Sequence, residues 1–175
     1  KIDDIIISIN QNKTGLINQT FELSTHENKY ILQSINAQVF PNYQQGLKNI
    51  ILIKKWLKKT NYSYEFPSPL QNQYLNFKEK IWRLLPFVKK SKSINKVSNL
   101  SEPEEAVKCM AEFYNCLEDI PIEKLNITIP NFHSGKHKIL AFNKALKNSN
   151  QLRKQNAWSL ILEIEENLKI LIEWD

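Results

Sequence analysis

Glycine is scarce in this chain, and its scarcity excludes two common nucleotide-binding motifs. The 175 residues include only three glycines, Gly15, Gly46 and Gly135. The P-loop motif G-x-x-x-x-G-K-[ST] and the dinucleotide motif G-x-G-x-x-G both need closely spaced glycines, because the backbone must approach phosphate groups there. Neither spacing occurs, so a P-loop NTPase and a Rossmann dinucleotide site are both excluded.

Cysteine and long apolar runs are scarce as well. The two cysteines, Cys109 and Cys116, are seven residues apart. On one helix that separation is about 10 Å of rise, which is too far for a disulfide bond. The longest aliphatic run covers only residues 50–53, whereas a membrane-spanning helix needs about 20 apolar residues. We therefore expect free thiols, no membrane partner and a soluble protein of the reducing cytoplasm.

Positive charge is concentrated in the middle of the chain. The net charge is +6, yet residues 47–98 hold twelve Lys or Arg and two Glu, a net charge of +10. Residues 1–46 have three basic and four acidic residues, and residues 99–175 have nine basic and twelve acidic residues. A segment as basic as residues 47–98 attracts anions such as nucleotides, nucleic acid or acidic lipid.

The first half of the chain has the pattern of a small antiparallel sheet. Ile-rich or alternating segments separated by short polar turns predict strands over residues 4–10, 17–24 and 29–36. Apolar residues at helical spacing then predict a helix over residues 42–60. Two further strands are predicted by the same criteria, over residues 62–66 and 80–88.

After residue 100 the pattern becomes helical. A capping-box sequence, Ser-Glu-Pro-Glu, begins at Ser101 and predicts the start of a helix there. Val107, Met110, Tyr114 and Leu117 follow at a spacing that puts them on one face of this helix. An ordered loop is expected next. Two later helices are predicted, over residues 137–148 and 155–174.

Four blocks of sequence resemble the aminoglycoside phosphotransferase-like enzymes, a family with a protein-kinase-like fold. The blocks are residues 15–21 (GLINQTF), 30–40 (YILQSINAQVF), 82–88 (WRLLPFV) and 128–133 (TIPNFH). They occur in the order expected for the family and extend over nearly the whole chain. The branch that they resemble most is that of the N-acetylhexosamine 1-kinases.

The resemblance implies an α+β architecture. A nucleotide-binding N-lobe, with about five antiparallel strands and one helix, would cover residues 1–88. Residues 89–100 would connect the lobes, and residues 101–175 would form the helical first part of a C-lobe that is truncated before the catalytic loop. We expect self-association through an exposed apolar stripe on the last helix, formed by Ile161, Ile164, Leu168 and Leu171.

The resemblance also implies a nucleotide site. The turn that contains Gly15 would close over the phosphates of ATP, and Asn18 and Thr20 would add hydrogen bonds to them. A plain hairpin, with Asn18 and Thr20 as ordinary turn and strand residues, is the alternative for this region. Backbone groups near the end of the last strand would face the edge of adenine, at Leu85, Phe87 and Val88.

The third strand and the helix after it depart from the wider kinase pattern. Kinases carry a strand Lys that contacts phosphates and pairs with a helix Glu. Here Gln33 stands at the expected place of the lysine, residues 42–60 contain no Glu, and Lys48 stands where an acid is expected. Phosphate binding would therefore depend on Gln33, backbone amides and nearby basic groups.

Aspartate is scarce in a way that bears on catalysis. The family uses H-x-D-x-x-x-x-N for the base and one metal ligand, and a second Asp for the metal. The chain has only Asp3, Asp4, Asp119 and Asp175, and none follows a His by two positions. We therefore expect no catalytic residue and no metal ligand here. ATP and Mg²⁺ are the cofactors expected for an intact enzyme, and this chain alone is expected to be inactive.

These observations lead to one main hypothesis and two alternatives. The main one is an ATP-dependent phosphotransferase acting on a hydroxyl of a sugar or aminoglycoside-like small molecule. The missing Lys and Glu motivate the first alternative, a non-catalytic binding or scaffold module of the same fold. The basic segment motivates the second, a nucleic-acid-binding protein, which is less favoured because no aromatic-rich binding strand accompanies the lysines.

Two other groups of residues have structural interpretations. His133 and His137 are four apart, but Gly135 between them disfavours helix geometry and no third metal ligand is nearby, so a surface loop is the preferred interpretation. The lysines at 54–59 are interpreted as a solvated helix face. Core or interface positions are expected for the tryptophans, Trp56, Trp82, Trp158 and Trp174.

Overall fold

The computed structural model describes residues 4–91, 94 and 96–173. The chain divides into two compact units, Lys1–Ile129 and Pro130–Asp175. The first unit contains the sheet and the first two long helices, and the second contains the remaining helices. The division into lobes joined by residues 89–100 remains a prediction.

The first unit is built on a five-stranded antiparallel sheet, which confirms the expected α+β class. The strand order is β1-β2-β3-β5-β4, so the first three strands form a meander and the last two complete the sheet beside β3. The strands are β1 (Ile6–Asn12), β2 (Gln19–Thr25), β3 (Lys29–Ile35), β4 (Leu75–Phe77) and β5 (Lys80–Pro86).

The strand expected over residues 62–66 is wrong. No strand forms there, and three alternating aromatic residues follow a left-handed Asn61 (φ 57°). Tyr62 and Phe66 instead pack on the ring of Phe113, with ring centroids 5.9 and 6.1 Å away. The alternation of aromatic residues resembled a strand, but Tyr64 is 40% exposed, and Tyr62 and Phe66 are covered by the helix that carries Phe113 and not by a neighbouring strand.

The fourth strand is β4, which the sequence did not reveal. Phe77 pairs with Lys80 across a two-residue turn, and both turn residues, Lys78 (φ 47°) and Glu79 (φ 60°), are left-handed. Two left-handed residues are the signature of the tight hairpin turn that Asn-Gly or Gly-Gly usually forms. Since Lys-Glu is an uncommon sequence for this turn, no turn was predicted.

A single long helix, α1 (Tyr43–Lys59), follows β3 and confirms the helix expected over residues 42–60. Its Leu57 is buried, and the N–H of Thr60 caps its end by donating to the Trp56 carbonyl. The lysines of its last turns are partly engaged within the fold. Lys54 Nζ donates to Ser68 Oγ at 2.7 Å, and Lys59 Nζ lies 4.8 Å from the Trp56 ring centre.

The second long helix, α2 (Ser101–Leu117), begins where expected but is capped differently. The Asn99 side chain accepts from the N–H groups of Ser101 (3.1 Å) and Glu102 (3.2 Å). Glu102 in turn accepts from the N–H of Ser98 at 2.8 Å. The reciprocal capping therefore lies upstream of the predicted Ser101 box, and the Ser101 hydroxyl itself donates to the Asn99 side-chain oxygen at 2.6 Å.

Three of the four apolar residues predicted to share one face of α2 are exposed in the structure. Val107, Met110 and Tyr114 are 65%, 49% and 64% exposed. The face that packs within the unit contains Cys109 and Phe113, which contact the aromatic residues that follow α1. Two apolar stripes run along this helix, and the aromatic cluster selects one of them.

The second unit contains three helices, α3 (Gly135–Asn148), α4 (Gln151–Asn156) and α5 (Trp158–Glu173). The helix expected over residues 155–174 is interrupted at Ala157 (φ −105°, ψ 8°), which ends α4. Ser134 and Asn150 cap α3 and α4 by accepting from N–H groups three residues later. The predicted helix over 137–148 begins two residues earlier than expected, because Ser134 supplies the cap.

The tryptophans do not share one environment. Trp56 and Trp82 are half-buried, whereas Trp158 is 57% exposed, so it is not a core residue and the interface position remains a prediction. Trp174 lies outside the described residues. Within the ranges that the structure describes, no helix is both long enough and apolar enough to cross a membrane.

Candidate nucleotide site

A row of three polar side chains crosses the three middle strands of the sheet, β2, β3 and β5. Strand register places Thr20 of β2 opposite Gln33 of β3, and Gln33 opposite Arg83 of β5. Directly opposed residues on neighbouring strands project from the same face, so the three side chains meet. We call Thr20, Gln33 and Arg83 the polar row.

Gln33 is the central member of the polar row, and both ends of its amide are used. Its Nε2 donates to Thr20 Oγ1 at 3.0 Å, while its Oε1 accepts from Arg83 Nε at 2.9 Å. Thr20 Oγ1 donates onward to the Asn18 carbonyl at 3.4 Å. Gln33 therefore orients the Arg83 guanidinium and leaves little of its own amide for a ligand.

The turn between β1 and β2 is tied to the end of β3. The Asn18 side-chain oxygen accepts from the N–H of Asn36 at 3.0 Å, and the Asn18 side-chain NH₂ has no partner among the described residues. A Cβ at Gly15 would lie 3.3 Å from the Asn18 carbonyl and 3.6 Å from Thr20 Oγ1. The φ of Gly15 is not positive, so the glycine allows the backbone of this turn to approach Asn18 and Thr20 closely and is not needed for an unusual backbone conformation.

A cavity of about 300 Å³ lies where α1 meets this face of the sheet. Asn18 and Arg83 line it from the sheet side, and Tyr43, Gly46 and Asn49 line it from α1. Its lining contains no Asp or Glu. Within the described part of the chain, no carboxylate lies within ion-pair distance of Arg83, so the cavity is electropositive.

Lys48 does not occupy the helix position that faces this cavity. It lines a separate groove with Gln44 and Leu47, whereas Asn49 is among the α1 residues that line the cavity. Asn49 is held by Asn126, with hydrogen bonds of 2.8, 2.8 and 3.0 Å between the two residues. The polar row and this Asn pair are therefore among the polar groups that the structure places near the cavity.

The residues expected to face adenine lie at the opposite end of β3 and β5. Leu85 pairs with Ile31 inside the sheet, and the N–H of Phe87 donates to the Lys29 carbonyl at 3.3 Å. Ser91 Oγ donates to the Val88 carbonyl at 2.6 Å. The Val88 N–H has no partner among the described residues, so it is the donor still open to a ligand.

A second cavity, of about 770 Å³, lies at this end of the sheet. Phe87 lines it, together with Tyr30 and Lys29, whereas Leu85 and Val88 do not. Lys29 is paired with Glu22 at 2.7 Å. Gln33 is four residues along the strand from Lys29, which corresponds to about 13 Å, so this cavity and the polar row are separated by a length comparable to an extended nucleoside triphosphate.

Several side chains have shifted pKa values. A hydrogen bond from the side chain of Thr25, which lines the 770 Å³ cavity, lowers the pKa of Asp4, whereas Tyr62 and Glu112 line neither cavity. Burial and a hydrogen bond with Cys109 raise the pKa of Tyr62. Hydrogen bonds from the hydroxyl and the N–H of Ser63 lower the pKa of Glu112. No group of three or more His, Cys, Asp or Glu side chains within the described ranges could hold a metal ion, and His133 and His137 form no such group.

Arg83 is the residue that the sequence reasoning missed. It belongs to the block at residues 82–88 that carries the family resemblance, but only the residues after it were assigned to the site. An arginine in the middle of the otherwise apolar run Ile-Trp-Arg-Leu-Leu was an available signal, because strands seldom place an unpaired charge on a half-buried face.

The sheet and its single inserted helix define the class of fold, a protein-kinase-like N-lobe followed by helices. A solved structure with this fold is that of spectinomycin phosphotransferase APH(9)-Ia in complex with ADP and spectinomycin, with a TM-score of 0.53 and 12% sequence identity. The match covers 93% of this chain and 50% of that enzyme. No protein-family model matches the chain.

Proposed function

We propose that this chain is the nucleotide-binding part of an ATP-dependent phosphotransferase that acts on a hydroxyl of a sugar or aminoglycoside-like molecule. The supporting observation is the pair of features at the two ends of β3. One end has the polar row and the Asn18 turn, which suit phosphates, and the other has the open Val88 N–H, which suits the edge of adenine. The fold shared with a phosphotransferase agrees with this assignment.

The finer parts of the proposal come from the sequence resemblance. They are an N-acetylhexosamine or related sugar as acceptor, ATP as donor, and a cytoplasmic location. For ATP the residues fit, because Arg83 has no carboxylate partner within the described residues and faces a cavity without acids. For Mg²⁺ they do not fit, because the described residues contain no suitable ligand group. The chain alone is therefore expected to bind nucleotide without transferring phosphate.

Calorimetric titration of the 175-residue chain tests the proposal. A non-hydrolysable ATP analogue should bind saturably and compete with ADP, and it should bind more tightly than adenosine or inorganic triphosphate, because each of these reaches only one end of β3. Incubation with ATP, Mg²⁺ and an N-acetylhexosamine should give no sugar phosphate. Absence of saturable ATP binding would rule out the nucleotide-binding proposal.

A scaffold module is the second candidate, and one specific observation favours it. The side chains that normally form the Lys–Glu pair are replaced by Gln33 and Asn49, and Asn49 spends its hydrogen bonds on Asn126. A protein that keeps the N-lobe fold without the Lys–Glu pair can still present a surface that binds a partner. Folded protein without ATP affinity in the titration would favour this candidate.

A further inference from the structure

We propose that Arg83 is the phosphate-binding cation of this site, in the role that a strand lysine has in kinases. This inference rests on the proposed nucleotide-binding function and adds a residue to it. The ligand group is a phosphate of the nucleotide, bound in the 300 Å³ cavity between α1 and the sheet. Gln33 acts as a positioning residue that holds the guanidinium.

The first argument is position. Arg83 is directly opposite Gln33 in the β3–β5 register, so its side chain begins one strand away from the place where kinases carry the lysine. Neighbouring strands are about 4.8 Å apart. An arginine side chain is long enough to bring its charge across that distance, and the 2.9 Å bond to Gln33 shows that it bends toward β3.

The second argument is the state of the guanidinium. Its Nε is used by Gln33, whereas its two terminal nitrogens have no hydrogen-bond partner among the residues that the structure describes. Arg83 is half-buried, but its terminal nitrogens are not among the buried side-chain atoms that lack a partner, so they remain open to a ligand. The planar fork of an arginine binds phosphate through two parallel N–H groups, so a phosphate would satisfy this group.

The third argument is the lack of competing cations at the cavity. Arg83 is the one charged residue in its lining. Lys80, on the same strand, donates to Gln19 at the sheet edge at 3.1 Å, and Lys48 lines a different groove. The Asn18 NH₂ group lies in the same lining and can add a neutral donor to a phosphate held by Arg83.

The test compares Arg83→Met with Lys80→Met in the 175-residue chain, using ATP, ADP and adenosine as probes. Both variants remove one positive charge from β5, so the effect of net charge is matched. Arg83→Met should weaken ATP and ADP binding at least tenfold and leave adenosine binding within twofold. Lys80→Met should change neither, and Arg83→Lys should recover part of the lost ATP affinity.

The outcomes distinguish a failure of the proposed Arg83 role from a failure of the proposed nucleotide-binding function. If the unchanged chain binds neither ATP nor adenosine, the proposed function fails. If the chain binds ATP and Arg83→Met binds it equally well, the function stands and the role of Arg83 is refuted. If Arg83→Met loses ATP and adenosine affinity equally, or has a lowered unfolding midpoint, Arg83 is structural. Gln33→Leu tests the positioning role of Gln33: it should lower ATP affinity less than Arg83→Met does and leave adenosine affinity unchanged.

Discussion

Replacement of Gly135 by alanine tests the closest approach between two helices in the second unit. Gly135 is buried and begins α3. A Cβ built on it would overlap the carbonyl oxygen of Leu171 in α5 and lie 2.9 Å from the carbonyl carbon. Both contacts are with backbone, so no side-chain rotation can relieve them. Gly135→Ala therefore requires α3 to move away from α5.

The cost of that movement follows from the packing of the two helices. Forcing an extra methyl group into a packed interior costs about 1–3 kcal/mol, and alanine recovers little helix propensity at the first residue of a helix. We expect the free energy of unfolding to fall by about 1–3 kcal/mol. For a chain of this size, each kcal/mol corresponds to roughly 2–4 °C in Tm.

Gly46→Ala is the matched control, since it makes the same chemical change inside another helix. A Cβ at Gly46 would meet only Thr128 Cγ2, at an ordinary 3.6 Å. Alanine in a helix is about 0.5–1 kcal/mol more stable than glycine, so this variant should gain stability. Urea unfolding followed by far-ultraviolet circular dichroism measures both. A Gly135→Ala variant as stable as Gly46→Ala would refute the close approach of α3 and α5.

Three further outcomes test other parts of the fold. Asn49→Leu should lower the free energy of unfolding by about 1–3 kcal/mol, because it leaves the Asn126 N–H without its acceptor; an unchanged urea midpoint would contradict this. Stability should fall as the pH drops below 4.5, the ordinary pKa of Glu112. Because hydrogen bonds lower the pKa of Glu112 in the folded state, its contribution to stability is present above pH 4.5 and is lost as the pH falls through the folded-state pKa. Glu112→Gln should remove this pH-dependent contribution. Light scattering at high concentration should detect association that Ile164→Glu weakens, and a strictly monomeric chain would argue against it. The stripe predicted to be exposed is wrong at Ile161, which is 6% exposed and packs within the unit, so this prediction depends on Ile164 and Leu171, which are 39% and 40% exposed.

Local pattern predicted strands β1 to β3, helix α1 and strand β5 within a few residues. The strands were recognised as apolar-rich segments between polar turns, and α1 by apolar residues at helical spacing. The same reasoning failed at residues 62–66, where an aromatic alternation packs under α2. It also failed at β4, because the Lys78–Glu79 turn has no glycine or asparagine to reveal it.

The helical half was less predictable for a related reason. On α2, two apolar stripes compete, and the aromatic residues after α1 select the one that contains Phe113. In the second unit, Ala157 ends α4 inside a continuous helical pattern. Local propensity decides neither which stripe of α2 is buried nor where α4 ends, because both depend on residues distant in sequence or on the packing of neighbouring helices.

The sequence by itself determined which nucleotide-binding motifs are absent and where the strand meander begins, and the family resemblance predicted that Gln33 stands where a lysine is expected. Only the tertiary structure decided what Gln33 does. Arg83 is fifty residues away in sequence, and its place opposite Gln33 exists only through the register of β3 and β5. Strand register is a long-range property, because it depends on which two segments pair and not on the pattern within either one.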